Sequence, residues 1–259
     1  EITSGMRHSA VRHFAQTSEV RLSDWGAMSQ VWQVVYAGLW CKVFGFSFTG
    51  LRLLTCLIAL ACNVVLYRIF RRVAPDRFFA LAAVALVFFN PFTFVMTLSF
   101  MTEVHFFFWF CWSFLCALRA FDDDTRAPSQ KSLWLASLFA SLAFLIRQHG
   151  LLIPAALMGT LFLDCLRSGR WKTRFWQVLP ATVLLPGLTY AAFTLWIRHV
   201  HGLSPAFQRK LDYLTLLDWS QVTLNLWGAV AYLAWFVLPL SVVVLWRWWP
   251  RGDRPAQVR

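Results

Sequence analysis

Residues 51–70 read LRLLTCLIALACNVVLYRIF, and this run decides the class of the fold. A stretch of about 20 mostly apolar residues is long enough to cross the hydrocarbon core of a bilayer as an α-helix. Further apolar runs occupy residues 78–98, 104–120, 132–147, 149–167, 176–198 and 223–249. The sequence therefore predicts an all-α, polytopic transmembrane helix bundle with about seven spans.

The composition agrees with a membrane protein. Hydrophobic residues make up 59% of the chain and charged residues 14%, whereas about 25% is charged in an ordinary soluble domain. The net charge of +12 would indicate a nucleic-acid partner in a soluble protein. The distribution of the basic residues over the loops explains that charge better, so no nucleic-acid partner is predicted. The six cysteines form no CxxC pair, and neither a disulfide framework nor a zinc site is expected from them.

Basic residues are concentrated on one side of the predicted bundle. Fifteen of the 24 lie in alternate loops and in the C-terminal tail: Arg68, Arg71, Arg72, Arg77, Arg119, Arg126, Lys131, Arg167, Arg170, Lys172, Arg174, Arg247, Arg251, Arg254 and Arg259. Cytoplasmic loops carry such an excess of Lys and Arg. The C-terminus is therefore predicted to be cytoplasmic, and three polar segments, 1–26, 97–105 and 199–222, are predicted on the outer face.

These patterns divide the chain into four parts. Residues 1–26 are predicted as an outer-face loop with a catalytic acid, and 27–50 as an interfacial helix that lies along the outer surface. Residues 51–249 form the transmembrane bundle and 250–259 the cytoplasmic tail. Polar interruptions in the apolar segment 27–46 favour the interfacial position over a span. An outer N-terminus without a signal peptide also predicts at least one more helix before Glu1.

Two acidic residues on the predicted outer face are candidates for chemistry. Glu103 lies in SFMTEVH (99–105), directly before FFFWF (106–110), and an ionisable group at the mouth of an apolar helix is a functional candidate by default. Asp24 directly precedes the interfacial helix. Both also have simpler interpretations. Asp24 can be an N-cap, and Glu103 can be a first-turn residue favoured by the helix dipole, with Thr102 as the cap.

Basic and histidine residues accompany these acids on the same face. Arg147 and His149 lie in a tight turn between two spans, and His105 follows Glu103 by two positions. A carboxylate can act as a general base or bind a divalent metal ion through its oxygens, so a metal cofactor stays open. The guanidinium fork of Arg147 matches phosphate oxygens, although a snorkelling interfacial arginine is the simpler interpretation. The spacing of the histidines gives no support to metal ligation, and both histidines, like Arg147, are candidates for substrate binding. Arg52, which opens the first span, is a further candidate for substrate binding or for pairing with an acid.

Four segments together are similar to one family of membrane enzymes. They are the first outer loop with Asp24, the stretch AGLWCKVFGFSFTGLRL (37–53), Asn90-Pro91 followed by SFMTEV (99–104), and AFLIRQHG (143–150). In order and sidedness they resemble the GT-C glycosyltransferases, in particular family 39-like enzymes such as the protein mannosyltransferases and the lipid A aminoarabinose transferases. The resemblance covers about residues 20–200. Glu103 stands where the family usually has Asp, and Val104-His105 where it often has Val-Pro.

The resemblance implies a site and a reaction. It implies that Asp24 is the catalytic base, that Glu103 is the second acid, and that Arg147 binds the donor phosphate. The donor would be a polyprenyl-phosphate sugar, and the acceptor a lipid, glycan or protein. Membrane lipids would surround the enzyme, in a bacterial cytoplasmic (inner) membrane with the active site outside.

Two other functions remain open from the sequence. A transporter or flippase of lipid-linked intermediates would place ionisable groups near the bilayer midplane on broken helices. The centres of the predicted spans are nearly free of charge, which favours chemistry at the surface. A non-catalytic membrane assembly subunit would tolerate the loss of both Asp24 and Glu103.

Overall fold

The computed structural model describes residues 2–20, 30–73, 76–121, 128–159, 171–201, 220, 223, 224 and 227. These residues form helices and turns, and no strand occurs among them. The chain divides into two compact units, Glu1–Phe207 and Gln208–Arg259. The described helices between Ile2 and His201 belong to the first unit.

The described residues of the first unit form a succession of helices. Their bounds are α1 Ile2–Thr17, α2 Val31–Phe44, α3 Phe48–Val73, α4 Arg77–Phe88, α5 Pro91–Thr97, α6 Thr102–Ala120, α7 Gln130–Phe144, a 3-10 turn at Gln148–Leu151, α8 at 152–159, α9 Trp171–Trp196 and a short π-helix at Ile197–His201. Local capping sets several of the starts. The side chains of Asp76, Asn90 and Ser129 each accept a hydrogen bond from a backbone N–H in the first turn of α4, α5 and α7.

The described residues contain two helices long and apolar enough to cross a membrane, Phe48–Val73 and Val178–His199. A third span is possible if α4 and α5, which are bent by 69° at the break between them, count as one. These elements correspond to the predicted runs 51–70, 176–198 and 78–98. The all-α prediction is thus confirmed for the described residues and the chain is an integral membrane protein, but the count of seven spans is not confirmed.

The other predicted spans differ for identifiable reasons. Helix α6 covers 104–120, but it carries Glu103 in its first turn and Arg119 in its last. Helix α7 has only 15 residues and ends at Phe144, before the end of the predicted run 132–147. The run 149–167 is described only as far as residue 159, and most of 223–249 lies outside the described residues.

Helix α6 packs between α3 and α7, and α7 packs in turn against α9. The interface of α3 and α6 contains a cluster of buried side chains: Cys62, Val65, Leu66, Ile69, Cys111 and Leu115. Small hydroxyl residues join the next helices, since Ser113 in α6 donates to the carbonyl of Ala136 at 2.6 Å and Ser137 in α7 donates to that of Ala181. Such hydrogen bonds between helices are typical of membrane bundles. The middle of α6 is therefore held by neighbours on both sides.

The N-terminal segment 1–26, predicted as an outer-face loop, contains helix α1. Val11 and Phe14 in α1 are buried against α2. The two helices approach closely at Gly38, where an added Cβ would lie 2.2 Å from Cδ1 of Phe14. The sequence prediction missed this helix because its stabilising contacts come from α2, not from a strong apolar pattern of its own. Helix α2 itself lies within the predicted interfacial segment 27–50.

Candidate functional site

The turn that follows α7 brings three helices together. The backbone N–H of Gln30 donates to the carbonyl of Ile146 at 3.4 Å, and that of Trp32 donates to Leu145 at 3.3 Å. The start of α2 is thereby attached to the end of α7. Arg147, the next residue of the same turn, reaches the first turn of α6. The site is therefore built where α2, α6 and α7 meet.

Glu103 and Arg147 form an ion pair at the start of α6. Arg147 donates from Nη2 to Oε1 of Glu103 and from Nε to the hydroxyl of Thr102 at 3.1 Å. The Thr102 hydroxyl donates in turn to Oε2 of Glu103 at 3.3 Å. The side chains of Arg147 and Glu103 are 23% and 31% exposed, whereas Thr102 is buried. The guanidinium is thus oriented by two neighbouring side chains and remains accessible to a ligand.

The predicted helix cap at Thr102 is wrong, since Met101 occupies the N-cap position and Thr102 is the first residue of α6. The Thr102 hydroxyl bonds the side chains of Arg147 and Glu103 instead. Glu103 does lie in the first turn, where the helix dipole favours an acid. The dipole and the functional interpretations of Glu103 are therefore compatible.

His105 is fully buried and joins three helices. Its Nδ1 is hydrogen-bonded to the hydroxyl of Tyr36 in α2, and its Nε2 lies 3.1 Å from the hydroxyl of Thr55 in α3. The Thr55 hydroxyl donates its only hydrogen to the carbonyl of Leu51 at 3.0 Å, so its oxygen accepts a hydrogen bond from the Nε2–H of His105. Nδ1 then accepts from Tyr36, whose pKa burial raises well above its usual value.

Both ring nitrogens of His105 therefore have protein partners, and His105 connects α2, α3 and α6. Its contact with substrate stays a prediction. Sequence reasoning did not identify Tyr36 or Thr55. The available signal was weak: each is a polar group within an apolar helix, and a buried polar group needs a partner.

The remaining predicted site residues are placed differently. His149 is exposed in the 3-10 turn and contacts the ring of Phe106 edge-on, with centroids 6.5 Å apart. Arg52 is exposed on α3, and none of the acids in the described ranges pairs with it. Asp24 lies outside the described residues. Within the part of the chain that the structure describes, no three His, Cys, Asp or Glu side chains come together as a metal site would require.

The turn that carries Arg147 depends on a glycine. The N–H of Gly150 donates to the carbonyl of Arg147 at 3.0 Å. A Cβ at Gly150 would lie 2.2 Å from the backbone nitrogen of Phe144. Because backbone atoms cannot move aside as a flexible side chain can, only glycine fits there.

The sequence was also compared with known proteins. The model of the dolichyl-phosphate-mannose-protein mannosyltransferase family matches residues 35–196, which is more than half of the chain. The chain belongs to this family. No curated protein and no solved structure shows significant similarity to it.

Membership of the family confirms the resemblance to GT-C glycosyltransferases that the sequence motifs indicated. The matched region runs from α2 to α9, so it contains Glu103, Arg147 and His105. Asp24 and α1 precede it. The protein is thus a membrane glycosyltransferase of the GT-C type, and such an enzyme uses a lipid-linked sugar donor and an acceptor.

Proposed function

We propose that this protein transfers a sugar from a polyprenyl-phosphate donor to an acceptor at the outer face of a bacterial cytoplasmic membrane. The observation that carries the proposal is the partly exposed Glu103–Arg147 pair within the family-matched region. A lipid-linked donor stays in the bilayer while its phosphate reaches the surface. A cation and a carboxylate at the start of an apolar helix suit that geometry.

Arg147 is proposed to bind the donor phosphate. Thr102 and Glu103 hold its guanidinium in one orientation, and an arginine fork makes strong charge-assisted hydrogen bonds to phosphate oxygens. When the bond from sugar to phosphate breaks, negative charge develops on the leaving phosphate. A positioned cation stabilises that charge, and this kind of electrostatic contribution is usually the largest in catalysis.

Asp24 is proposed as the general base that deprotonates the acceptor hydroxyl, with Glu103 as the second acid of the site. Gln30 follows Asp24 by six residues and is bonded to Ile146, the neighbour of Arg147. Six residues span at most about 20 Å, and this chain length is compatible with a position of Asp24 beside the pair. The acceptor is proposed to be a lipid, a glycan or a protein.

The outer location rests on the charge distribution. The basic loops face the cytoplasm by the positive-inside rule, which puts the turn at 147–150 and the start of α6 on the opposite side. This topology, with a cytoplasmic C-terminus and about seven spans, belongs to the proposal.

The test replaces Asp24 by Asn in the full-length protein and measures sugar transfer from a polyprenyl-phosphate sugar in membrane vesicles. Loss of a general base lowers the rate by about 10²- to 10⁴-fold, and we expect a loss in that range with unchanged expression. The matched control is Asp218→Asn, in another predicted outer segment, which should keep wild-type transfer. Full activity of the Asp24→Asn variant would show that Asp24 is not the general base. Tolerance of both Asp24→Asn and Glu103→Gln would favour a transporter or an assembly subunit.

A further inference from the structure

An open pocket lies between α1 and the C-terminal part of α2, and it shares no lining residue with the Glu103–Arg147 pair. Its volume is about 560 Å³, and it is lined by Arg12, Ala15, Gln16, Cys41, Lys42 and Phe46. Two of these residues are cations and none is an acid. The pocket therefore has the charge of an anion site.

Aromatic side chains support both cations. The guanidinium carbon of Arg12 lies 5.8 Å from the ring centroid of Phe46. The ammonium of Lys42 lies 5.6 Å from the ring centroid of Phe14 and donates to the hydroxyl of Ser18 at 2.6 Å. Cation–π contacts of this kind hold a charge in place without neutralising it.

No described carboxylate pairs with either cation. Glu19, which directly follows the Lys42 partner Ser18, is exposed and does not line the pocket. Two positive charges that no carboxylate in the described ranges neutralises, together with the amide of Gln16, are the groups that a phosphate would recognise.

The surface next to the pocket indicates the source of that phosphate. Val43 and Phe44 follow Lys42 directly, and their side chains are 74% and 66% exposed. Leu39, one turn earlier in α2, and Phe48, at the start of α3, are also exposed. A site for a soluble anion gains nothing from apolar neighbours, whereas a lipid headgroup brings acyl chains with it. Exposed apolar side chains beside basic residues are typical of helices at the surface of an anionic membrane.

We propose that the α1–α2 pocket binds the phosphate headgroup of an anionic membrane lipid through Arg12 and Lys42. Arg12 precedes the family-matched region, which starts at residue 35, and the inference is independent of the proposed sugar transfer. A lipid bound there would attach α1 and α2 to the bilayer surface.

Binding of a short-chain phosphatidylglycerol to the full chain in neutral detergent tests the proposal, with the matching phosphatidylcholine for comparison. We expect at least tenfold tighter binding of the anionic lipid, measured by native mass spectrometry. The double variant Arg12→Gln, Lys42→Gln should lower its affinity by about 10- to 30-fold, as expected for two basic residues at an anionic surface. The matched control Arg68→Gln, Arg77→Gln removes two exposed cations elsewhere and should change the affinity by less than twofold.

A further variant covers the case in which the double variant does not fold. Gln16→Glu keeps both cations but adds a carboxylate to the pocket, and it should lower the affinity for phosphatidylglycerol without affecting that for phosphatidylcholine. Unchanged binding in either pocket variant, or equal losses in the pocket and control pairs, would overturn the proposal. The last measurement is competition between inorganic phosphate and phosphatidylglycerol for the pocket. If it competes at the same concentration as the lipid, the pocket is a soluble phosphate site and the lipid assignment is wrong.

Discussion

Replacing Glu103 by Gln removes the negative charge that Arg147 contacts while keeping the length of the side chain. In the structure one carboxylate oxygen accepts from Arg147 and the other accepts from the Thr102 hydroxyl. Glutamine can keep one neutral acceptor but not the charge. The substitution therefore isolates the electrostatic part of the pair.

The expected loss of stability follows from the burial of the pair. Its side chains are 23% and 31% exposed, so it lies between an exposed ion pair, worth about 0–1 kcal/mol, and a buried pair, whose disruption costs about 3–5 kcal/mol. We expect Glu103→Gln and Arg147→Gln each to lower the free energy of unfolding by about 1–2 kcal/mol. Because both remove the same contact, the double variant should lose less than the sum of the single variants.

The assay is unfolding in mixed micelles followed by tryptophan fluorescence, for which the 15 tryptophans provide the signal. Sugar transfer by the same variants gives the functional measurement. A hydrogen bond to a charged group is worth about 1.5–3 kcal/mol, so Glu103→Gln should lower kcat/KM by about 10- to 150-fold. Glu103→Asp keeps the charge and should be tolerated. The control is Glu19→Gln, since that acid is exposed and should change neither quantity.

Two results would refute this reasoning. Additive losses of stability in the double variant would mean that Glu103 and Arg147 do not stabilise each other. Equal losses of activity from Glu103→Asp and Glu103→Gln would mean that the residue acts through packing at the start of α6 and not through its charge.

Three other predictions concern the connections around the site and its topology. His105→Phe removes the partner of the Tyr36 hydroxyl and one of the two partners of the buried Thr55 hydroxyl, so the free energy of unfolding should fall by about 1–3 kcal/mol; an unchanged melting temperature would contradict the proposed connecting role. Gly150→Ala should lower both stability and sugar transfer because its Cβ meets the backbone of α7, whereas Gly187→Ala in α9, with no atom within 4 Å, should be neutral or stabilising in the same thermal unfolding assay. In a cysteine-free background, Gln148→Cys should react with a membrane-impermeant maleimide in intact cells and Lys131→Cys only after lysis; the reverse pattern would invert the topology.

The length and composition of the apolar runs determined that this protein is helical and lies in a membrane, because burial of a spanning segment depends on local hydrophobicity. The sequence also identified Glu103 and Arg147 as candidates, since charged groups at the ends of apolar runs are costly and therefore stand out. Local sequence also determines where some helices start. At Asn90-Pro91, the side-chain cap and the proline at the first helical position both mark the start of α5.

Contacts between distant residues were decided only by the tertiary structure. Arg147 meets Glu103 across 44 residues, and His105 joins Tyr36 across 69. No periodicity indicates such pairings, because they depend on which helix faces pack together. For the same reason the sequence did not predict that His105 bonds Tyr36 and Thr55. It also did not predict that the Thr102 hydroxyl bonds Arg147 and Glu103 instead of capping α6. The cationic pocket at Arg12 and Lys42 likewise exists only because α1 packs on α2, where the absence of a side chain at Gly38 admits the ring of Phe14.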